Sequence, residues 1–205
     1  MNRLPFTAAS HLAAAADAMR SALAVHGVVA IPTETFYGLA VRPDDAAAVR
    51  RVIVLKERPA DKALLVVGAS VAQLASWVRL SSRWWARLEA VWPAPVTVVL
   101  PAAGAAAGTG ATTLAVRVPA HPLLRALLAE VGPLTATSAN ASGLPACTRP
   151  DDVARTLGHG LELLLDGGPT PGGAATTLLD LTSDPPIVLR GGVWRPPASW
   201  GVKAI

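Results

Sequence analysis

Short apolar runs alternate with longer stretches of helical period along most of this chain. From about His11 to Ala24 the spacing predicts a helix, with Ser10 placed to cap it and Gly27 to stop it. The run VVAI within GVVAIP follows, too short and too apolar for anything but a buried strand. Asp44 can cap the next helix, DAAAVRRVIVLK, which ends at Lys56. ALLVV (63–67) reads as a strand, and Ser70 to Val78 and Ser81 to Val91 read as two helices. VTVVL (96–100) and LAVRV (114–118) are strands separated by an Ala/Gly-rich loop. HPLLRALLAEVG reads as a helix with a glycine stop, then LTAT (134–137) as a strand. PDDVARTLG, ELLLD, TLLDL and IVLR complete a pattern of roughly eight strands and five or six helices. An α/β fold follows, its strand directions mixed because several strands succeed one another without a helix between them.

Length and composition narrow the class. The chain has 205 residues, enough for one domain that buries its own core. Its single cysteine, Cys147, rules out an internal disulfide and suits a reducing compartment. The N-terminal apolar stretch is interrupted by Asp17 and Arg20, so no signal peptide is expected. No window approaches 18 uninterrupted apolar residues, so a cytoplasmic protein with no membrane partner is expected. Lys plus Arg number 18 against 14 acids, a mild surplus with no basic run longer than Arg50-Arg51. That argues against a basic-tail nucleic-acid binder. The six tryptophans do not interleave with basic residues and read as packing rather than base-stacking platforms.

Four polar segments fall at strand ends, where α/β sheets usually hold ligands. Ile31 to Leu39 (IPTETFYGL) sets Thr33, Glu34, Thr35 and Tyr37 directly after a buried strand. These groups can contact a small polar ligand, or simply satisfy turn amides. Lys56 to Lys62 (KERPADK) carries three cations and Pro59. It fits a polyphosphate, or a solvated connector balanced by Glu57 and Asp61. Thr135 to Gly143 (TATSANASG) runs a strand into a turn rich in hydroxyls and amides, the chemistry of an anion-binding nest. It has neither the Gly/Lys pattern of a P-loop nor the flanking glycines of a nucleophile elbow. Gly167 to Asp180 (GGPTPGGAATTLLD) joins a flexible glycine loop to Thr176 and Thr177, and Arg190-Gly-Gly closes the last strand. The loop resembles a lid, and is equally a long connection needing glycine for its turns. His11, His26, His121 and His159 are scattered, and none pairs with Cys147 at metal-ligand spacing. His121, before a proline at a helix start, reads as structural.

Taken in order, PTETFYGLA, KERPADKAL, WPAPVTVVL, LAVRVPAHP, TATSANASG and LLDGG with TTLLDL and VLRGG resemble the YrdC-like family. The likeness covers about residues 10–192, and the same blocks occur in the related YciO-type proteins. It implies a single α/β domain over 1–192, a twisted mixed and partly parallel sheet with flanking helices around a positively charged cavity. Residues 193–205 then form a C-terminal tail. The activity it implies is that of a nucleotidyltransferase. L-threonine, bicarbonate or CO2, and ATP with Mg²⁺ condense to threonylcarbamoyl-AMP and pyrophosphate, and a partner transferase passes the threonylcarbamoyl group to tRNA. By position, the resemblance puts Thr35, Arg117 and Thr176 on threonine. It puts Arg58, Lys62, Thr113, Ser138, Asn140 and Arg190 on ATP, and Lys56 with Arg58 at the reacting phosphates. No covalent enzyme intermediate is expected, and no protein-held metal is assigned.

The chain departs from the family pattern at Ala63 (usually proline), Ala94 (usually glycine) and Thr176 (usually serine). Val67 stands where some relatives place a histidine against threonine. These departures motivate the alternative of a YciO-type paralogue without full synthase activity. An RNA-binding protein without chemistry is the alternative from another class.

Overall fold

A computed structural model of the chain describes residues 1–57, 65–104 and 112–204. Two twisted sheets organise it. The first contains β1 (Asn2–Pro5), β2 (Val29–Pro32), β3 (Tyr37–Ala40), β8 (Thr137–Ser138) and β9 (Leu163–Asp166), in the order β1-β9-β2-β3-β8. The second contains β4 (Leu65–Val67), β5 (Val96–Pro101), β6 (Thr113–Arg117), β7 (Leu134–Thr135), β10 (Thr177–Asp180), β11 (Ile187–Arg190) and β12 (Lys203–Ala204). Its order is β12-β11-β10-β5-β6-β4-β7. Both sheets are mixed: β1, β9 and β2 run parallel while β3 returns antiparallel, and β10 and β5 run parallel while β6 returns.

The apolar runs of β2 and β9 are unbroken because both faces of the first sheet are covered. Val29, Ile31, Leu163 and Leu165 feed one core with α1 (Leu12–Ala24) and α5 (Pro122–Val131). Val28, Ala30 and Leu164 feed another with α2 (Ala46–Lys56) and α6 (Pro150–Leu157). The second sheet is apolar on one face throughout, and on the other only at its β4–β7 end, where Val67 and Leu134 join the first core. Val96, Val98, Leu114, Val116 and Leu179 pack with α3 (Val71–Leu74), α4 (Ser82–Val91) and Trp92, while Thr97 and Arg117 turn to the other side. That alternation makes the opposite face available to a ligand.

Several local expectations change. Asp45, not Asp44, caps α2: its Oδ1 accepts from the amides of Ala47 and Ala48 at 3.0 Å, and Asp44 is taken by Arg42 at 2.9 Å. A 3₁₀ turn over Ala9–His11 precedes α1, so Ser10 lies inside that turn and does not cap. Only Val71–Leu74 of the expected Ser70–Val78 helix is helical, since Val78 is drawn into a β-bridge with Ala102. LTAT divides between the sheets, Leu134–Thr135 pairing with β4 and Thr137–Ser138 with β3. The buried Thr135 hydroxyl stitches this crossing, accepting from Val41 N and donating to Leu39 O. Two features lie within the described stretch 193–204. Trp200 is buried, its ring 5.2 Å from Trp84, and β12 pairs with β11. Among the described residues no helix is long and apolar enough to cross a membrane.

Candidate active site

A cavity of about 470 Å³ lies between the two sheets. The first sheet and its turns supply Thr33, Thr35, Phe36, Tyr37, Thr137 and Ser138; the second supplies Leu65, Thr97, Ala115, Arg117, Thr176, Leu178 and Arg190. Thr33 shapes the turn after β2: its Oγ1 accepts from the amides of Thr35 and Phe36 and donates to Phe36 O at 2.7 Å. That presents the Thr35 side chain on the cavity wall. Tyr37 ties the glycine loop down, its hydroxyl donating to Gly168 O at 2.7 Å and accepting from Gly167 N at 3.1 Å. Burial pushes its pKa up to about 12, so it stays a donor.

Arg117 ends β6 only 3% exposed. Its Nη1 stands 3.4 Å from Glu34 Oε1, the one carboxylate ion-paired to it among the described residues. Burial pulls the guanidinium's pKa down from its usual value, Glu34 pulls it back up, and nearby Arg190 adds to the lowering. Among the described residues neither Glu34 carboxylate oxygen nor Arg117 Nε has a hydrogen-bond partner. A buried guanidinium with bonding capacity to spare, on the wall of a hydroxyl-lined cavity, is suited to a carboxylate.

The Ser138–Asn140 turn is held from below by the end of α2. The Lys56 ammonium, 3% exposed, donates to the Ser138 carbonyl and to Asn140 O at 2.8 Å. Ser138 Oγ donates to Asn140 Oδ1 at 2.6 Å, and Asn140 Nδ2 donates to the carbonyls of Ala141 and Leu144. On the opposite wall Arg190 donates through Nε and Nη2 to Thr176 O, at 3.2 and 3.0 Å.

The structure therefore brings Thr35, Arg117, Ser138, Thr176 and Arg190 onto one cavity, with Asn140 and Lys56 beside Ser138. Thr113 stands at the far end of β6 and is not among the lining residues, though strand alternation puts it on the same face as Ala115 and Arg117. Arg58, Lys62 and the Ala63 departure lie outside the described residues. Val67 is fully buried in the apolar core beside Leu134, paired in register with Arg117. Sequence reasoning passed over Thr97, whose signal was a lone hydroxyl inside VTVVL. It passed over Glu34 as a partner for Arg117, because the pair joins segments 83 positions apart by number (117 − 34).

A Cβ on Gly192 would lie 2.5 Å from Ala175 O and Thr177 N and 2.8 Å from the Thr176 carbonyl carbon. Backbone atoms cannot give way as a flexible side chain can, so Gly192→Ala should displace Thr176 and cost about 1–3 kcal/mol. A denaturant melt checks it. His121 Nδ1 accepts from Leu124 N at 3.1 Å and caps α5, which requires a neutral ring. Burial lowers its pKa below 6.5, against an opposing pull from Glu34. A His with a depressed folded pKa binds fewer protons than the unfolded chain. Its stabilising contribution is therefore present above pH 6.5 and lost as pH falls through the lower, folded pKa. His121→Asn keeps a capping oxygen and should flatten this part of the stability profile between pH 7.5 and 5.

The family profile Sua5_yciO_yrdC, described as "Telomere recombination", matches residues 21–192. The chain belongs to the Sua5–YciO–YrdC family. Two curated relatives in this family are named threonylcarbamoyl-AMP synthase. That of Bacillus subtilis (strain 168) is 36% identical over 80% of this chain and 49% of its own length. That of Vibrio cholerae (El Tor Inaba N16961) is 38% identical over 77% of this chain and 85% of its own. The chain thus spans about half the length of the B. subtilis relative and of a Pyrococcus abyssi one, and most of the Vibrio one. Among solved structures, P. abyssi Sua5 complexed with L-threonine superposes with TM-score 0.82 at 34% identity, covering 94% of this chain and 58% of that one. Escherichia coli YciO superposes with TM-score 0.80 over 95% of this chain and 96% of its own; at 22% identity this likeness shows the fold alone.

Proposed function

We propose that this chain is an L-threonylcarbamoyladenylate synthase, a nucleotidyltransferase acting in the cytoplasm. The observation that carries the reading is the buried Arg117, its Nε without a hydrogen-bond partner among the described residues, on a hydroxyl-lined cavity. The chain holding it is 34% identical to a Sua5 whose structure contains L-threonine. In this reading Arg117 takes the threonine carboxylate and Thr35 and Thr176 take neighbouring polar atoms. Threonine's neutral amine attacks the carbon of CO2 and gives up a proton to solvent, or attacks that of bicarbonate with loss of water, forming a carbamate. A carbamate oxygen then attacks the α-phosphorus of ATP, and the bond to the bridging oxygen breaks, releasing pyrophosphate.

The nucleotide would lie toward Ser138, Asn140 and Arg190, extending along the Thr113 side of β6, with Arg58 and Lys62 on its phosphates. Cations and hydroxyls there stabilise charge that develops on carbamate and phosphate, with no protein nucleophile required. Lys56 serves the reaction by fixing the Ser138–Asn140 turn that faces the phosphates. Mg²⁺ would enter as the counter-ion carried on the ATP phosphates, whose charge calls for it. The product would pass to a tRNA threonylcarbamoyl transferase. Residues 1–192 would form the catalytic unit, and 193–205 a brace on the back of the second sheet.

The test is pyrophosphate release with Mg·ATP, with and without L-threonine and bicarbonate, on wild type and Arg58→Ala. Release that needs both co-substrates and falls at least a hundredfold in the variant supports the reading. Folded protein that binds ATP without turnover would favour the YciO-type alternative. Salt-sensitive RNA binding without turnover would favour the RNA-binding one.

A further inference from the structure

Two buried hydroxyls meet on the cavity wall. Thr97 Oγ1 and Thr176 Oγ1 are 2.9 Å apart, and their residues are 3% and 5% exposed. Among the described residues neither hydroxyl has another hydrogen-bond partner. Two hydroxyls carry two protons. One spans the pair, and the second is left to point at whatever occupies the cavity.

The backbone around Thr176 is gripped from several sides. Its carbonyl accepts twice from Arg190, the next amide donates to Pro95 O at 3.0 Å, and Gly192 packs against its peptide plane. The hydroxyl rotor is thus the remaining freedom at this position. Thr97 sits between Val96 and Val98, both fully buried on the opposite face of β5. Valine would fill the same volume at 97, so packing does not call for a hydroxyl there. Its contact is with Thr176.

We infer that Thr97 is a positioning residue that orients and polarises the Thr176 hydroxyl toward an anionic oxygen of the amino-acid substrate. Thr97 donates to Thr176 Oγ1, and Thr176 donates onward to a carboxylate or carbamate oxygen. Two hydrogen bonds in series strengthen each other where both hydroxyls are shielded from water. The inference rests on the synthase reading for the identity of the ligand.

Calorimetric titration of L-threonine tests it on wild type, Thr97→Val, Thr97→Ser, Thr176→Val and the double valine variant, beside pyrophosphate-release kinetics. Thr97→Val should weaken threonine binding about tenfold. The KM for ATP and the melting temperature should stay near wild type, and Thr97→Ser should restore binding. The double variant should be no worse than Thr176→Val alone, because Thr97 acts through Thr176. Unchanged threonine affinity in Thr97→Val, or additive losses in the double variant, would overturn the inference. Wild type that binds threonine but releases no pyrophosphate would remove the synthase reading alone, and the same titrations would still decide the hydroxyl pair. Wild type that binds no threonine would remove both.

Discussion

Arg117→Met should abolish measurable threonine binding, weakening it by about a hundredfold or more, while ATP affinity changes little. A charge-assisted, two-pronged contact to a carboxylate is among the strongest a side chain makes, and in a buried site water cannot replace it. The substitution also strands Glu34, whose carboxylate oxygens already lack hydrogen-bond donors among the described residues. Leaving that charge buried should cost about 3 kcal/mol of stability. The two losses can be separated. Glu34→Gln in the Arg117→Met background removes the stranded charge and should restore much of the stability. It should restore none of the threonine affinity. If affinity returned with stability, Arg117 would be a packing element and not a ligand for substrate.

Lys56→Met should be the most destabilising change near the site that touches no substrate. The ammonium donates to the carbonyls of Ser138 and Asn140, and the residue is 3% exposed. Methionine fills the stem's volume but removes the donor to Asn140 O and leaves Ser138 O with the Asn140 amide as its partner, a cost of about 2–4 kcal/mol. For a chain of this size that lowers the melting temperature by about 5–10 °C. The turn that carries Ser138 should loosen with it, raising the KM for ATP more than that for threonine. Lys56→Arg should not rescue, because a planar guanidinium does not fit a pocket closed on a single nitrogen. Thermal melts and a pair of KM determinations check both parts.

The helix layers were legible because periodicity writes them directly: the unbroken run of β2 needed cover on both faces, and α1 and α2 supply it. Caps were harder. Asp44 and Asp45 are equivalent as sequence signals, and the choice fell to the neighbour that draws Asp44 away, Arg42. The strands β1 and β12 were invisible because they are short edge strands whose pairing partners lie far along the chain. LTAT could not be split by pattern, since its crossing depends on where two separate sheets offer free edges. In the site, motifs located Thr35, Arg117, Ser138, Thr176 and Arg190, which the fold places around one cavity. They did not reveal the pairings made around it. Thr97 with Thr176 and Glu34 with Arg117 are products of tertiary approach, and no local pattern records them.

The most direct test of the whole account is mass spectrometry of the nucleotide products formed from Mg·ATP, L-threonine and isotopically labelled bicarbonate, with no RNA present. The expected product is a single new adenylate carrying both the threonine residue and the labelled carbon, absent when any one substrate is withheld and absent in Arg117→Met. Hydrolysis of ATP to AMP or ADP with no labelled adenylate, from protein that is folded and binds threonine, would contradict it.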